Sequence, residues 1–349
     1  MRVEPFSLPL SRPLETAAGP IETRRGFVVR TTATDAAGTG EATPLAGWTE
    51  PFEACERALA SVDADPNVDP NVDPDADADP GSTLDAEALS AAPAARHGLS
   101  LAVLDAAARA ADRPLYRHLG GPERATRVPV NATVGDGSPA ETAASCADAV
   151  DAGYPAVKLK IGARSIEADL ARIEAARERC PDVELRLDAN GAWDADTAAS
   201  ALPRLEALDV AVLEQPLPAT ALSAHARLRG RSVDIALDES VVECGPAAIR
   251  SADAADVLVC KPMALGGVDR ARRVAEAALS RGTDVVITTT IDGAIARAAA
   301  VHLAASLPDV RACGLATGGL LAADLRAGIA PIEEGAALVP QGKGNIPPG

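Results

Sequence analysis

The 349 residues, 47% of them hydrophobic, are enough to bury a large core and suit either two domains or one large barrel with an addition. With 50 acidic against 33 basic residues, the net charge of −17 and a pI near 4.7 argue against nucleic acid or an anionic membrane surface as a partner. An acidic substrate would need locally arranged cations or a metal. Scarce lysine, abundant aspartate, glutamate and alanine, and only 2% aromatic residues point to a halophilic source, where acidic surfaces stay soluble in concentrated salt.

The opening residues Met1–Phe6 carry no apolar signal core, and no run of 18 apolar residues follows, so a cytoplasmic location is expected. Residues 1–50 read as short strands and turns of a small antiparallel sheet, with Thr16–Pro20 as a loop and Arg25–Arg30 alternating as a strand does. The turn-rich segment Gly38–Trp48 carries one of the two tryptophans and reads as a loop packing over something, with Trp48 as its hydrophobic anchor. From Asp63 to Pro80 the chain repeats Asp-Pro-Asn-Val and Asp-Ala, with seven aspartates and four prolines, and is expected to be a solvated, disordered acidic loop. It lacks the glycine turn and closing glutamate of a calcium loop. A helix is expected over residues 99–112, and Gly120-Gly121-Pro122 marks a boundary. The six cysteines are scattered without a Cys-x-x-Cys pair, so reduced, mostly buried thiols are expected rather than a zinc site or disulfides.

After that boundary the pattern alternates. Strands are expected at Val128–Val134, Ala156–Gly162, Glu184–Asn190, Val210–Gln215, Asp234–Glu239, Asp256–Lys261, Asp284–Thr289 and Ala312–Ala316. Between them lie helical stretches such as Ile166–Arg179, Thr197–Leu208, Val268–Leu279 and Ala294–Leu307. Eight such units indicate a (β/α)8-type barrel or a close variant, with a doubly wound open sheet as the alternative. No Gly-x-Gly-x-x-Gly follows an early strand, which counts against nucleotide binding.

Four lysines exist in the whole chain, and two of them, Lys158 and Lys160, sit two residues apart in an apolar run. On a strand that spacing places both ammonium groups on one face, where repulsion lowers the pKa of at least one and favours the neutral amine that a general base needs. Two solvated lysines on a half-exposed strand are the plainer alternative. The polar groups Lys160, Asp188, Glu214, Asp238 and Lys261 follow at gaps of 28, 26, 24 and 23 residues, about one βα unit each, so they should share the C-terminal rim of a barrel. Singly, each carboxylate reads equally as a helix cap or a surface acid. Three in register would repel unless a cation lay among them, and a hard divalent ion, magnesium above all, is the natural occupant. A metal flanked by lysines suits proton removal beside a carboxylate.

These residues resemble the enolase superfamily. Val157–Gly162 is similar to its Lys-x-Lys strand, Leu187–Trp193 to its Asp-x-Asn strand and Leu213–Pro216 to its Glu-Gln-Pro strand, with Leu237–Ser240 and Lys261-Pro262 completing the set. The resemblance implies an α+β N-terminal capping domain (1–125, including the 63–80 loop), a (β/α)7β TIM-type barrel (126–325) and a C-terminal segment (326–349) returning to the cap. Within the muconate-lactonizing-enzyme-like subgroup it is strongest to the o-succinylbenzoate synthase family, whose capping loop Gly40–Trp48 resembles apart from Ala46 and Trp48. Arg186–Asn190 also matches that branch, and Val286–Asp292 resembles its serine-rich seventh strand with threonines substituted.

The implied activity is a magnesium-dependent syn dehydration of 2-succinyl-6-hydroxy-2,4-cyclohexadiene-1-carboxylate through an enediolate, in menaquinone biosynthesis, with manganese as the other candidate metal. Asp188, Glu214 and Asp238 would bind the metal. Lys160 would abstract the proton and return it to the departing hydroxyl, Lys261 would stay protonated and stabilise the enediolate partly as a cation over a π-face, and Lys158 would hold the substrate carboxylate. Asn190 and Glu239 would support the cluster, Arg186 and Thr288, Thr289 and Thr290 would meet the succinyl arm, and Gly47 and Trp48 would cover the substrate. The four histidines, His97, His118, His225 and His302, fall outside these motifs. N-succinylamino acid racemases, other epimerases and muconate cycloisomerases share the machinery, but dipeptide epimerases carry Asp-x-Asp where this chain has Leu315–Gly318. The alternative outside enzymology is an inactive metal-binding barrel. The partner is a small-molecule carboxylate, and the oligomeric state is open between monomer and homo-oligomer.

Overall fold

In a computed structural model, which describes residues 1–14, 19–33, 36–64 and 87–347, the chain begins as a three-stranded antiparallel meander of β1 (Arg2–Leu14), β2 (Ile21–Ala33) and β3 (Ala36–Ala42). Both faces of β2 are covered, which explains its apolar run. Phe27 and Val29 pack with Cys55 and Leu59 of the helix Phe52–Ala64 and with Leu99 of the helix Pro93–Ala110, whereas Val28 joins the larger core. The expected helix over 99–112 starts at Pro93, where proline suits a first helical turn because no N–H is needed there. β3 lies directly on that helix. A Cβ on Gly38 would stand 1.9 Å from the Ala102 carbonyl oxygen and one on Gly40 1.9 Å from that of Gly98, so only glycine permits this approach. Of the expected acidic loop, Asp63 and Ala64 end the first helix, and 65–80 lies outside the described residues, as do residues 16–18 of the expected first loop.

Seven parallel strands follow in strict sequence order: β5 (Asn131–Val134), β6 (Ala156–Lys160), β7 (Glu184–Asp188), β8 (Val210–Glu214), β9 (Asp234–Leu237), β10 (Val257–Cys260) and β11 (Asp284–Ile287). Consecutive neighbours joined by helices are what a right-handed βα winding produces. Alternation along each strand divides inside from outside. Val157, Leu159, Leu185, Leu187, Ile235, Leu237, Leu258 and Ile287 face the helices in the main core, while Val212, Ala236, Val257, Val259 and Val286 form a separate cluster inside the barrel. The helices start at local caps: Ser165 accepts from Ala168 N ahead of Ile166–Arg179, and Ser138 and Glu141 form a capping box ahead of Pro139–Asp151.

Two strand expectations need correction. The expected strand 128–134 divides at Val130: β4 (Arg127–Pro129) turns outward to pair with β13 (Ala336–Leu338), itself paired with β12 (Ile332–Glu333), and only β5 enters the parallel sheet. The expected eighth strand over 312–316 makes only two single bridges, Val130 to Cys313 and Thr288 to Gly314. Those bridges join it to both ends of the seven-stranded sheet, so the barrel closes through a narrow seam. The fold is therefore a capped TIM-type barrel of (β/α)7β form. Near the end of the chain, Gly344 O accepts from Leu115 N at 2.8 Å, and Asp105, on the helix Pro93–Ala110, accepts from Asn345 N at 2.6 Å. No helix among the described residues is long and apolar enough to cross a membrane.

Candidate active site

The five spaced residues come together at the C-terminal ends of five adjacent strands, β6 to β10. Register sets them there: Lys160 pairs with Asp188, and Asp188 pairs with Glu214. Lys158 donates to Glu214 Oε1 at 2.8 Å and Oε2 at 3.0 Å and lies 3.1 Å from Asp188 Oδ2. Lys160 donates to the same Asp188 oxygen at 2.6 Å and to Asn190 Oδ1 at 2.8 Å. On the other side of the rim, Lys261 donates to Asp238 Oδ2 at 2.6 Å. Asn190 Nδ2 donates to Glu239 Oε1 at 2.9 Å, which ties β7 to the segment after β9.

Burial and charge act on these groups in opposite directions. Burial alone would lower the Lys158 pKa, but Asp188 and Glu214 outweigh it and hold the ammonium above its ordinary range. Lys158 is therefore not the amine of the pair that repulsion leaves neutral, because two carboxylates across the strands win over one neighbouring ammonium. Burial would raise Asp188, yet Lys158 and Lys160 pull it well below the usual carboxylate range. Glu214 is pushed up to about 7 by burial and by Asp188, against the pull of Lys158. Burial and Asp238 also raise Glu239.

The lid is the segment after β3. Leu45 O accepts from Trp48 N and Thr49 N, both at 2.9 Å, and Gly47 makes the turn at φ +87°. The turn brings the Trp48 ring over Lys261, whose Nζ is 3.2 Å from the ring centroid. Lys261 thus already lies against an aromatic face supplied by the protein itself.

Other expected contacts are engaged internally. Arg186 is 3% exposed, two residues before Asp188 on the same face of β7, and donates to Glu184 Oε1 and to Ala312 O, each at 2.7 Å, so it braces the barrel seam. Thr288 donates to Gly314 O, Thr289 shares a hydrogen bond with Thr317, and Thr290 donates to Asp292.

Sequence reasoning passed over two residues. Gln215, at φ +39°, lies in the quoted Glu-Gln-Pro motif, and its Oε1 accepts from Asp238 N at 3.0 Å and Ser240 N at 3.2 Å, fixing where Asp238 leaves β9. Glu41, in the quoted lid motif, accepts from Gly293 N, Ile295 N and Ala296 N at 2.7, 3.1 and 2.9 Å, capping the helix Ala294–Ser306. Both motif positions held the signal; the partners lie far away in the chain.

Three carboxylates on adjacent strands offer the oxygen donors that a hard divalent ion prefers, and Asp238 Oδ1 and Glu239 Oε2 are buried without a hydrogen-bond partner among the described residues. No three of His, Cys, Asp and Glu are gathered closely enough among the described residues to enclose an ion as they stand, since lysines hold Asp188, Glu214 and Asp238. The donor set fits such an ion once those ammonium contacts are exchanged.

Residues 141–345 match the Enolase C-terminal domain-like family. An o-succinylbenzoate synthase of Thermobifida fusca is 42% identical over 203 residues, 57% of this chain and 62% of that protein, so the matched stretch spans less than two thirds of the relative. A dipeptide epimerase of Methylococcus capsulatus, complexed with Mg and the dipeptide L-Arg-D-Lys, superposes with a TM-score of 0.84 at 29% identity over 99% of this chain and 97% of that one. A muconate lactonizing enzyme of Pseudomonas fluorescens, complexed with muconolactone, gives 0.84 at 25% identity over 99% and 95%. The chain belongs to the enolase superfamily, in its muconate-lactonizing-enzyme-like subgroup. Within that subgroup its sequence is similar to the o-succinylbenzoate synthases.

Proposed function

We propose that the protein is an o-succinylbenzoate synthase, removing water from 2-succinyl-6-hydroxy-2,4-cyclohexadiene-1-carboxylate in menaquinone biosynthesis. The observation that carries the reading is the unbroken order around the rim: lysine pair on β6, carboxylates ending β7 and β8 and following β9, lysine after β10. The match to the Thermobifida fusca protein supports the choice of dehydration over the other reactions of the subgroup. Asp188, Glu214 and Asp238 would hold magnesium, which the Methylococcus capsulatus neighbour contains. When bound, the ion neutralises charge that builds on the substrate carboxylate.

Lys160 has the more accessible amine of the pair, its side chain 39% exposed against 17% for Lys158. It takes the proton beside the carboxylate and delivers it to the departing hydroxyl, so one amine serves both steps of a syn elimination. Asn190 and Asp188 fix its direction. Lys158, kept charged by Glu214 and Asp188, supplies a permanent cation for the substrate carboxylate. Lys261 supplies positive charge from β10, with the Trp48 ring shielding it from water.

The test is to incubate the protein with magnesium and the cyclohexadiene carboxylate, in low and in molar salt, and to follow appearance of the aromatic product. No turnover in either would sink the reading. Proton–deuterium exchange on N-succinylamino acids tests the racemase alternative, which uses the same lysines.

A further inference from the structure

Arg24, on β2, belongs to none of the rim motifs, yet it is 3% exposed and lies where the first sheet meets the barrel. Its guanidinium reaches carbonyls from two separate loops. Nη2 donates to Thr43 O at 2.9 Å and Nη1 to Pro44 O at 3.1 Å, at the root of the lid, while Nε donates to Ile291 O at 3.2 Å, directly after Thr288–Thr290. Ile291 stands at φ +61°, a left-handed conformation that a β-branched side chain avoids and that persists only where the surroundings impose it. Its carbonyl is the one that Arg24 holds. Alongside, Glu41 on β3 fastens the start of the helix that follows this loop, through Gly293, Ile295 and Ala296 N–H. The planar fork suits this task, since one lysine could not reach three carbonyls in fixed directions.

We propose that Arg24 is a positioning residue, a latch that joins the lid (43–48) to the seventh-strand loop (288–292) so that Trp48 and the threonines are set as one unit against the arm of the substrate remote from its reacting carboxylate. The identity of that arm rests on the synthase reading; the latch does not. Trp48 moves with its root, because Leu45 O and the Thr49 hydroxyl, which accepts from Leu45 N at 2.8 Å, make the lid one rigid turn.

The test uses the full chain in a Trp193→Phe background, which leaves Trp48 as the sole tryptophan. Arg24→Lys keeps the buried positive charge near Glu41 and Asp292 but removes the fork, and Arg24→Gln is the second variant. Acrylamide should quench Trp48 at least about twofold more strongly in a variant that remains folded by circular dichroism, and KM should rise about tenfold while kcat stays within about threefold. Unchanged quenching in a folded variant overturns the latch, as does a fall in kcat with KM unchanged. Loss of the fold in both variants makes Arg24 a folding residue alone and also overturns it. If the parent protein shows no dehydration, the synthase reading falls, and quenching alone decides the latch.

Discussion

Replacing Arg96 by methionine should cost about 3 to 5 kcal/mol of stability at neutral pH, the range seen when one partner of a buried ion pair is removed and the other charge is left behind. Arg96 is fully buried on the helix Pro93–Ala110 and donates to Gly266 O at 2.7 Å and to Asp269 Oδ2 at 3.0 Å. It thereby ties the N-terminal part to the turn that follows Lys261. Without it, the Asp269 side chain, 9% exposed, retains the Ser100 hydroxyl at 2.7 Å and a longer contact to Arg273 at 3.5 Å. Burial would raise Asp269, but its bonds to Arg96 and Ser100 hold it below the ordinary carboxylate range. A depressed carboxylate stabilises the fold above its unfolded pKa and loses that contribution as pH falls through its folded one. The gap between wild type and Arg96→Met should therefore narrow as pH falls below ~4. Urea unfolding followed by circular dichroism across that range measures it, and Arg96→Met/Asp269→Asn should recover more than half of the loss. A neutral-pH gap under about 1 kcal/mol, or one that does not narrow in acid, would refute the reasoning.

Lys160→Ala and Lys261→Ala should each lower dehydration by at least about a thousandfold while far-ultraviolet circular dichroism stays unchanged; a near-normal rate in either would remove that lysine from the chemistry. Gln215→Ala frees the Asp238 and Ser240 amides and should weaken magnesium binding about 10- to 100-fold by calorimetry, with unaltered affinity counting against a tethering role. Glu214, pushed up to about 7, is protonated in acid, so magnesium affinity should rise as pH climbs through that value and level off above it. A profile flat between about pH 6 and 8 would refute the coupling of Glu214 protonation to metal binding.

The rim was legible because its residues recur at the βα spacing and because lysine is rare in this chain. Periodicity placed Ile166–Arg179 and Val268–Leu279 at their observed bounds. What escaped depended on partners distant in sequence. The eighth segment has the pattern of a strand, but its ladder is reduced to bridges at Cys313 and Gly314, and nothing local announces that. Repulsion within the lysine pair was a local argument between residues two apart, whereas Asp188 and Glu214, on the next two strands, govern the Lys158 pKa. Hydroxyls at Thr288 and Thr289 look available in a sequence, yet Gly314 and Thr317 engage them once the chain folds. Arg24 carries no local mark at all, since its three acceptors are backbone carbonyls, which every residue possesses.

The glycine-only contact between β3 and the helix Pro93–Ala110 bears on how this enzyme can diverge. With Gly38 and Gly40 seated against the Ala102 and Gly98 carbonyls, the strand meets the helix at two notches two residues apart. An insertion or deletion of one residue there would put a side chain into a notch and carry Glu41 away from the helix that it caps. Within the lid beyond Pro44 the constraint lifts, since a Cβ on Gly47 would meet nothing within 4 Å. New substrate preferences are therefore expected to arise through substitutions and length changes in the lid after that point, while the strand before it tolerates no change of length and nothing but glycine at 38 and 40.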